Sequence, residues 1–311
     1  MEHFYRIRSN TRLRQLLKRL GRPVIPILGR RECLSSHPQF ERLRPYLEEG
    51  EIELVIDSRR FFRLIDFNRR KVTNIFKDND LILYFTNEIE AREKLSGLDI
   101  IPGLIGVDKS KRVFIEEYVC ERPFKSFRLR DLDAGDFAGR LKEVLRQVRV
   151  SAPVRTVEAK EYISGMTRDL ASHPEASEET RRYIRRLVED AAGLAKIDLV
   201  FSHGDFRKDQ VFFARDGSIK VIDWECSGYF SCYYDLIEFF ITEKWFYDSP
   251  VIRLEFLLDV DRSRLKNVCS LYLLELFSFP IRFQRRFLPD DLASVIRSVE
   301  QRMKKYVFSR I

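Results

Sequence analysis

The chain has 311 residues, 44% of them hydrophobic and 33% charged, with a formal net charge of +8. That length suits one large domain or two lobes with an ample core, and the composition excludes a disordered or low-complexity chain. No run approaches the ~18 uncharged apolar residues of a membrane span, and the opening residues MEHFYRIRSNTRLRQ lack the apolar centre of a secretion signal. Five cysteines (Cys33, Cys120, Cys226, Cys232 and Cys269) are odd in number and scattered. They read as buried free thiols of a cytoplasmic protein rather than as disulfides or a zinc site.

From Met1 to Arg31 nine Lys or Arg stand against one acid, Glu2. Within this arm TRLRQLLKRL sets Leu13, Leu16, Leu17 and Leu20 at helical spacing, with Asn10 or Thr11 as cap and Gly21 and Pro23 as stop. Residues 1–50 therefore read as a basic helical N-terminal extension. Its leucines would pack on the body, or the helix would lie on an anionic membrane and make the protein peripheral there. No zinc-finger spacing or aromatic RNA-binding motif accompanies it, so neither DNA nor RNA is expected as a partner.

Past HPQFERLRPYLEEG the pattern changes. EIELVID, FFRLIDF and KVTNIFK are strand-like runs separated by Ser-Arg-Arg and Asn-Arg-Arg, an antiparallel meander. FTNEIEAREKL is helical, and IPGLIGVDKSKRVFIEEYV reads as two more strands about a polar turn. Residues 51–122 thus form a small lobe with a five-stranded antiparallel sheet and one helix. CERPFKSF joins it to a mainly helical lobe, 123–311. There DAGDFAGRLKEVLRQV, SEETRRYIRRLVEDAAGLAK, YDLIEFFITEKWF, SRLKNVCSLYLLELFSF and PDDLASVIRSVEQRMKKYV are helical, around a strand cluster of LVFSHGDF, QVFFA and SIKVIDW. The fold class is α+β.

The chemistry concentrates in that cluster. His203, Gly204 and Asp205 end an apolar strand; Gln210 follows five residues after Asp205, and Asp223 eighteen after it, closing SIKVID. The turn at 215–217 folds the intervening strands into a hairpin, so Asp205, Gln210 and Asp223 can converge at one edge. Two carboxylates and an amide oxygen suit Mg²⁺, which takes oxygen ligands from one or two carboxylates plus phosphates. They also suit phosphoryl transfer, in which one Asp accepts a hydroxyl proton and another holds the metal. Trp224 and the aromatics of YFSCYYDLIEFF read as core.

The combined pattern HGDFRKDQVFF, IKVIDWE and YYDLIEFF resembles the catalytic-loop signature of the aminoglycoside and choline kinase-like phosphotransferases, relatives of the protein kinases, over about residues 51–245. The resemblance implies a bilobal protein kinase-like fold and ATP (or GTP) with Mg²⁺ as cofactors. Asp205 would be the catalytic base, His203 would orient its loop, and Asp223 and Gln210 would hold the metal. Asp235 would bond backbone donors of the loop, and Glu88 would pair a strand lysine. Glu116 and Tyr118 would offer backbone groups to adenine.

Three positions depart from that family. Gln210 stands where most members have Asn, a Gln that resembles the one used by the related maltose kinases. Asn74 stands where the phosphate-binding lysine belongs, with Lys71 and Lys77 on the opposite face of a regular strand. The loop DSRRFF lacks glycine and offers Ser58, Arg59 and Arg60 instead. Arg207, two residues after Asp205 on the same loop, is the best-placed replacement cation. The leading expectation is a kinase acting on a hydroxyl of a small molecule, sugar or glycolipid, with a basic surface favouring an anionic acceptor. The rival is a pseudokinase that binds nucleotide or a partner.

Overall fold

The computed structural model describes residues 3–6, 28–30, 38–49, 52–58, 60–77, 82–119, 122–123, 134–171, 178–213, 218–242 and 258–282. The arm helix expected at 11–20, Cys33, Arg59, Cys120 and the helical run 289–307 lie outside the described residues. Two compact units divide the chain: Met1–Asp131 with Lys208–Glu225, and Leu132–Arg207 with Cys226–Ile311.

The first unit is built on the expected meander. Strands β3 (Leu54–Asp57), β4 (Phe61–Asp66) and β5 (Lys71–Phe76) are followed by helix α2 (Ile82–Lys94), then β6 (Leu104–Asp108) and β7 (Val113–Glu117). All five strands pair antiparallel. The turn at residues 67–70 sets the register of β4 and β5, pairing Asp66 with Lys71 and Arg63 with Asn74. Such directly opposed residues project to the same face, so Arg63 and Asn74 become neighbours.

The sheet is wider than the sequence suggested. Within the N-terminal extension, β1 (His3–Arg6) pairs antiparallel with β3, and β2 (Leu28–Arg30) runs parallel to β1. The order is β2-β1-β3-β4-β5-β7-β6. The described parts of residues 1–50 are therefore two strands and a helix, not a helical arm alone. Pairing with β1 satisfies backbone groups that β3 would otherwise expose as a sheet edge.

That helix, α1 (Phe40–Glu49), also lay unassigned in the sequence, because Pro45 interrupts its periodicity. Leu43 and Leu47, one turn apart, enter a core cluster with Val55, Phe62, Leu64, Ile75 and Val113. Arg42 fastens the same helix to the end of β5, donating to the carbonyl oxygens of Phe76 at 2.8 Å and Lys77 at 2.5 Å. A short sheet completes this unit: β8 (Arg122–Pro123) pairs with β11 (Val211–Phe213), which forms a hairpin with β12 (Ile219–Val221). Val221 N–H reaches back to Ile100 O at 2.7 Å.

The second unit is mainly helical. It contains α3 (Ala134–Val150), α4 (Ala159–Ala171), α5 (Glu178–Ala191), α6 (Tyr234–Thr242) and α7 (Arg262–Arg282), with an antiparallel sheet of β9 (Arg155–Glu158), β10 (Lys196–Ser202) and β13 (Gly228–Ser231). Helix α4 was not anticipated, although Ala159, Ile163 and Met166 bury one face at helical spacing. Helix α7 packs against α5 and α4, and its inward residues Leu265, Val268, Leu271, Tyr272 and Leu274 are almost wholly buried.

The burial of α1 generates a test. Leu43 is fully buried, so Leu43→Ala should lower the free energy of unfolding by about 2–4 kcal/mol, as comparable core truncations do. Glu48→Ala, on the exposed side of the helix, should change it by less than about 0.5 kcal/mol. Urea unfolding of the two variants checks this; equal effects would mean that α1 does not belong to the core.

Candidate active site

In the second unit, β10 runs out at Ser202 and the His-Gly-Asp triplet follows. Asp235, at the start of α6, accepts the N–H of His203 at 2.7 Å and of Gly204 at 3.0 Å, one on each oxygen. Burial raises the Asp235 pKa above its ordinary value, while His203 and the two N–H bonds oppose that rise. The clasp fixes the backbone in an unusual conformation. Gly204 has φ +81, and a Cβ there would lie 2.1 Å from the carbonyl oxygen of Cys226. Only glycine fits such a site.

Asp205 N–H then donates to His203 Nδ1 at 3.3 Å. The His203 ring is buried beside Phe206, centroids 5.6 Å apart. The Asp205 carboxylate is about one-quarter exposed and accepts Arg207 Nη2 at 2.6 Å. Arg207 is thus the partner of the acid in this structure. Beneath the loop, Glu238 of α6 accepts the hydroxyl of Tyr272, and burial pushes its pKa up to about 7. Trp224 is buried and donates to Val221 O at 3.1 Å, as a core residue does.

In the first unit the β11–β12 hairpin carries the other acid. The ladder continues beyond Val211 and Val221, with Ile222 N–H donating to Gln210 O at 3.0 Å. Gln210 and Asp223 therefore leave the hairpin at the same end. Asp223 has φ 66, a left-handed conformation that Asp tolerates better than most residues.

Its Oδ1 accepts Arg63 Nη2 at 2.5 Å. Arg63 Nε donates to Asn74 Oδ1 at 3.0 Å, and Asn74 Nδ2 donates to Glu116 Oε1 at 2.7 Å. Arg92 completes the chain, giving Nη2 to Glu116 Oε2 at 2.5 Å and Nε to Glu88 Oε1 at 2.8 Å. Six side chains from β4, β5, β7, α2 and the hairpin are joined. Glu88 is buried, and its pKa rises to about 8, chiefly by burial. Arg92 pulls it down, whereas Glu116, Asp223 and Glu225 push it further up.

The cation paired with Glu88 is therefore Arg92, one turn along the same helix, and none comes from position 74. Arg63 and Arg92 were both missed in the sequence. Arg92 carried a signal, since it follows Glu88 by four residues. Arg63 carried one as well, because the turn at 67–70 sets it opposite Asn74.

Ser58, Tyr118 and the cations near the β3–β4 turn have local partners. Ser58 Oγ donates to Phe61 O at 2.8 Å and accepts Phe61 N–H at 3.2 Å, closing the β3–β4 turn. Lys77 bonds Asp57 and Ser58 O. Arg60 bonds Glu225 and lies 4.5 Å over the ring of Tyr84. Tyr118 N–H donates to Arg70 O at 2.8 Å, and Glu116 contributes its carboxylate to the chain just described.

The donor chemistry fits a hard divalent ion. Asp223 offers a carboxylate and Gln210 an amide oxygen, both oxygen donors of the kind Mg²⁺ takes. Among the described residues no group of three or more His, Cys, Asp or Glu is placed to hold a metal. Phosphate oxygens would have to complete the coordination.

No protein-family model and no curated protein matches the chain. Solved structures do. The choline kinase LicA from Streptococcus pneumoniae aligns over 80% of this chain and 91% of its own, with 14% identity and a TM-score of 0.54. The aminoglycoside phosphotransferase APH(2'')-Ib, bound to ADP, aligns over 86% and 99%, with 14% identity and a TM-score of 0.55. A choline/ethanolamine kinase family protein from Mesorhizobium loti aligns over 88% and 93%, with 16% identity and a TM-score of 0.52. The fold is that of the choline kinase-like and aminoglycoside phosphotransferases.

The buried carboxylate predicts a pH dependence. With a folded pKa near 8 against an ordinary 4.5, Glu88 binds its proton more tightly in the folded state. It therefore stabilises fully below about pH 4.5, and that contribution is lost as pH rises through about 8. Glu88→Gln keeps an acceptor for Arg92 without a titrating proton. Denaturant unfolding between pH 5 and 8 should show a shallower decline in the variant than in wild type; part of the slope persists, because Glu238 has the same sign. Superimposable slopes would show that Glu88 titrates normally.

Proposed function

We propose that the protein is an ATP-dependent phosphotransferase that phosphorylates a hydroxyl group of a small molecule. The observation that carries this reading is the clasp of Asp235 on His203 and Gly204. It gives Asp205, a partly exposed acid, a rigid backbone on a fold shared with small-molecule kinases. LicA is named a choline kinase, and APH(2'')-Ib an aminoglycoside phosphotransferase bound to ADP. Both names fit transfer to a small acceptor.

In this mechanism the acceptor hydroxyl attacks the terminal phosphorus. The new O–P bond forms as the bond from that phosphorus to its bridging oxygen breaks, and ADP departs. Asp205 accepts the hydroxyl proton. His203, held by its bond from Asp205 N–H, supports the geometry of the loop. Asp223 and Gln210 would hold Mg²⁺, which when bound neutralises phosphate charge. The finer acceptor class, a sugar or glycolipid with anionic character, is supported by the net charge of +8. The pseudokinase reading rests on the neutral Asn74, and it loses force because Arg63 brings a guanidinium to Asp223.

The test is a paired measurement. Mg²⁺ and ATP at about 100 times Kd should stabilise the folded protein by ~2.7 kcal/mol. Asp223→Asn, chosen because Asn also tolerates the left-handed conformation, should remove most of that gain. Asp205→Asn should leave nucleotide affinity within a few fold and lower turnover by a factor on the order of 10² or more. Incubating labelled ATP with a metabolite extract supplies the turnover readout. A wild type indifferent to nucleotide and divalent ions would reject the proposal.

A further inference from the structure

We propose that Arg63 is the cation that grips the nucleotide's polyphosphate beside Asp223, with Asn74 as the residue that aims it. The inference deepens the nucleotide-binding reading above and rests on it.

The geometry begins with register. Arg63 and Asn74 are direct cross-strand partners on β4 and β5. The Asn74 carbonyl oxygen takes Arg63 Nε at 3.0 Å, and its amide group gives a proton to Glu116 at 2.7 Å. Both ends of the Asn74 side chain are therefore engaged, and the residue is 1% exposed. Asn74 carries no charge to a ligand; it orients the guanidinium that does. A lysine at 74 would instead set a second cation directly opposite Arg63, an arrangement that destabilises a strand pair.

Burial says which end of the chain meets a ligand. Glu88, Arg92, Asn74 and Glu116 are almost completely sealed, whereas the Arg63 and Asp223 side chains are 19% and 26% exposed. Polar groups thus run from the sealed interior to one accessible pair, a guanidinium beside a carboxylate. Arg92 serves Glu88 and Glu116, which leaves Arg63 as the partner of Asp223. An arginine fork suits two anions at once, since its donors lie in one plane and keep their charge at any working pH. Pairing Oδ1 does not consume Asp223 either, because a carboxylate offers two oxygens and about four lone-pair sites.

Among the described residues, Arg207 and Arg60 are the competing arginines that the sequence offered. Arg207 is bonded to Asp205 and Arg60 to Glu225, whereas Arg63 is the cation bonded to the acid proposed to hold the metal.

The experiment compares a ligand that has the polyphosphate with one that lacks it. Calorimetric titration of the full chain with Mg²⁺ and ATP, and separately with adenosine, is repeated on Arg63→Gln. ATP affinity should fall about 10-fold or more, the range expected for one charge-assisted contact, while adenosine affinity stays within about twofold. Arg63→Lys, the milder change, should lose about 3- to 10-fold for ATP alone and serves if the Gln variant fails to fold. Adding Asn74→Lys to Arg63→Gln should recover part of the ATP preference, because the new ammonium would sit beside Glu116. Equal losses for both ligands would make Arg63 a purely structural tether and overturn the inference, as would unchanged ATP affinity in Arg63→Gln. A wild type that binds adenosine and ATP equally well would overturn the inference alone. A wild type that binds neither would overturn the nucleotide reading and the inference with it.

Discussion

Arg92 is a guanidinium only 2% exposed, and the first unit is organised around keeping it paired. A buried charge is costly unless opposite charge and hydrogen bonds surround it. Here Glu88 from its own helix, Glu116 from β7 and the carbonyl of Pro102 at 3.1 Å supply those partners. The solution imposes consequences outward. Glu116 must present one oxygen to Arg92 and the other to Asn74; Asn74 must then show its carbonyl to Arg63, and Arg63 is drawn toward Asp223. A helix, three strands and a hairpin are placed by one continuous polar chain. Removing a single member leaves its neighbours buried without compensation, which is why such networks specify geometry beyond what their net energy suggests.

The second unit solves a related problem with carboxylates and neutral donors. Asp235 is satisfied by two backbone N–H groups, and Glu275 takes Ser231 N–H and Oγ at 2.6 Å each and the Tyr162 hydroxyl at 2.7 Å. Glu238 takes Tyr272. These acids sit on α6 and α7 and reach α4, β13 and the His-Gly-Asp loop, so polar bonds rather than packing alone fix the backbone next to Asp205. Burial pushes Glu238 upward in pKa, and the negative charge of Asp205 adds to the push. The loop and the helix beneath it therefore sense each other electrostatically.

Much of this was legible in the residues. Asp205, Gln210 and Asp223 announced themselves because a His-Gly-Asp triplet and a strand-closing Asp at that spacing make little sense as plain turns. The alternating strands β3 to β5 were legible because period-two patterning is a local property. Helix α1 was not, since Pro45 breaks its pattern while tertiary contacts of Leu43 and Leu47 hold it in place. Glu88 was expected to pair a strand lysine; its actual setting depends on Arg92 and Glu116, and no local window contains both of those and the strands they meet. Arg63 was hidden for a different reason. A vacancy at position 74 invites a search along the chain, toward Lys71, Lys77 or Arg207, whereas a sheet places neighbours across strands.

That distinction bears on how a kinase-like site tolerates change. If a cation must stand near Asp223, its strand of origin matters less than the position its charge reaches. β4 and β5 lie side by side, so a long side chain from either can reach the same place, provided the opposite residue is neutral and hydrogen-bonds it. Arg63 with Asn74 meets that condition. The arginine's length spans the extra strand spacing, and its plane is held by the Asn carbonyl on one side and the Phe61 ring, 4.8 Å from its carbon, on the other. Asp223 in turn holds a left-handed φ of 66, a conformation stored at modest cost of about 1 kcal/mol. An ion pair at its carboxylate offsets part of that cost. The strained acid, the tethered arginine and the neutral asparagine are therefore one arrangement, and changing the identity of any one alters the geometry available to the other two.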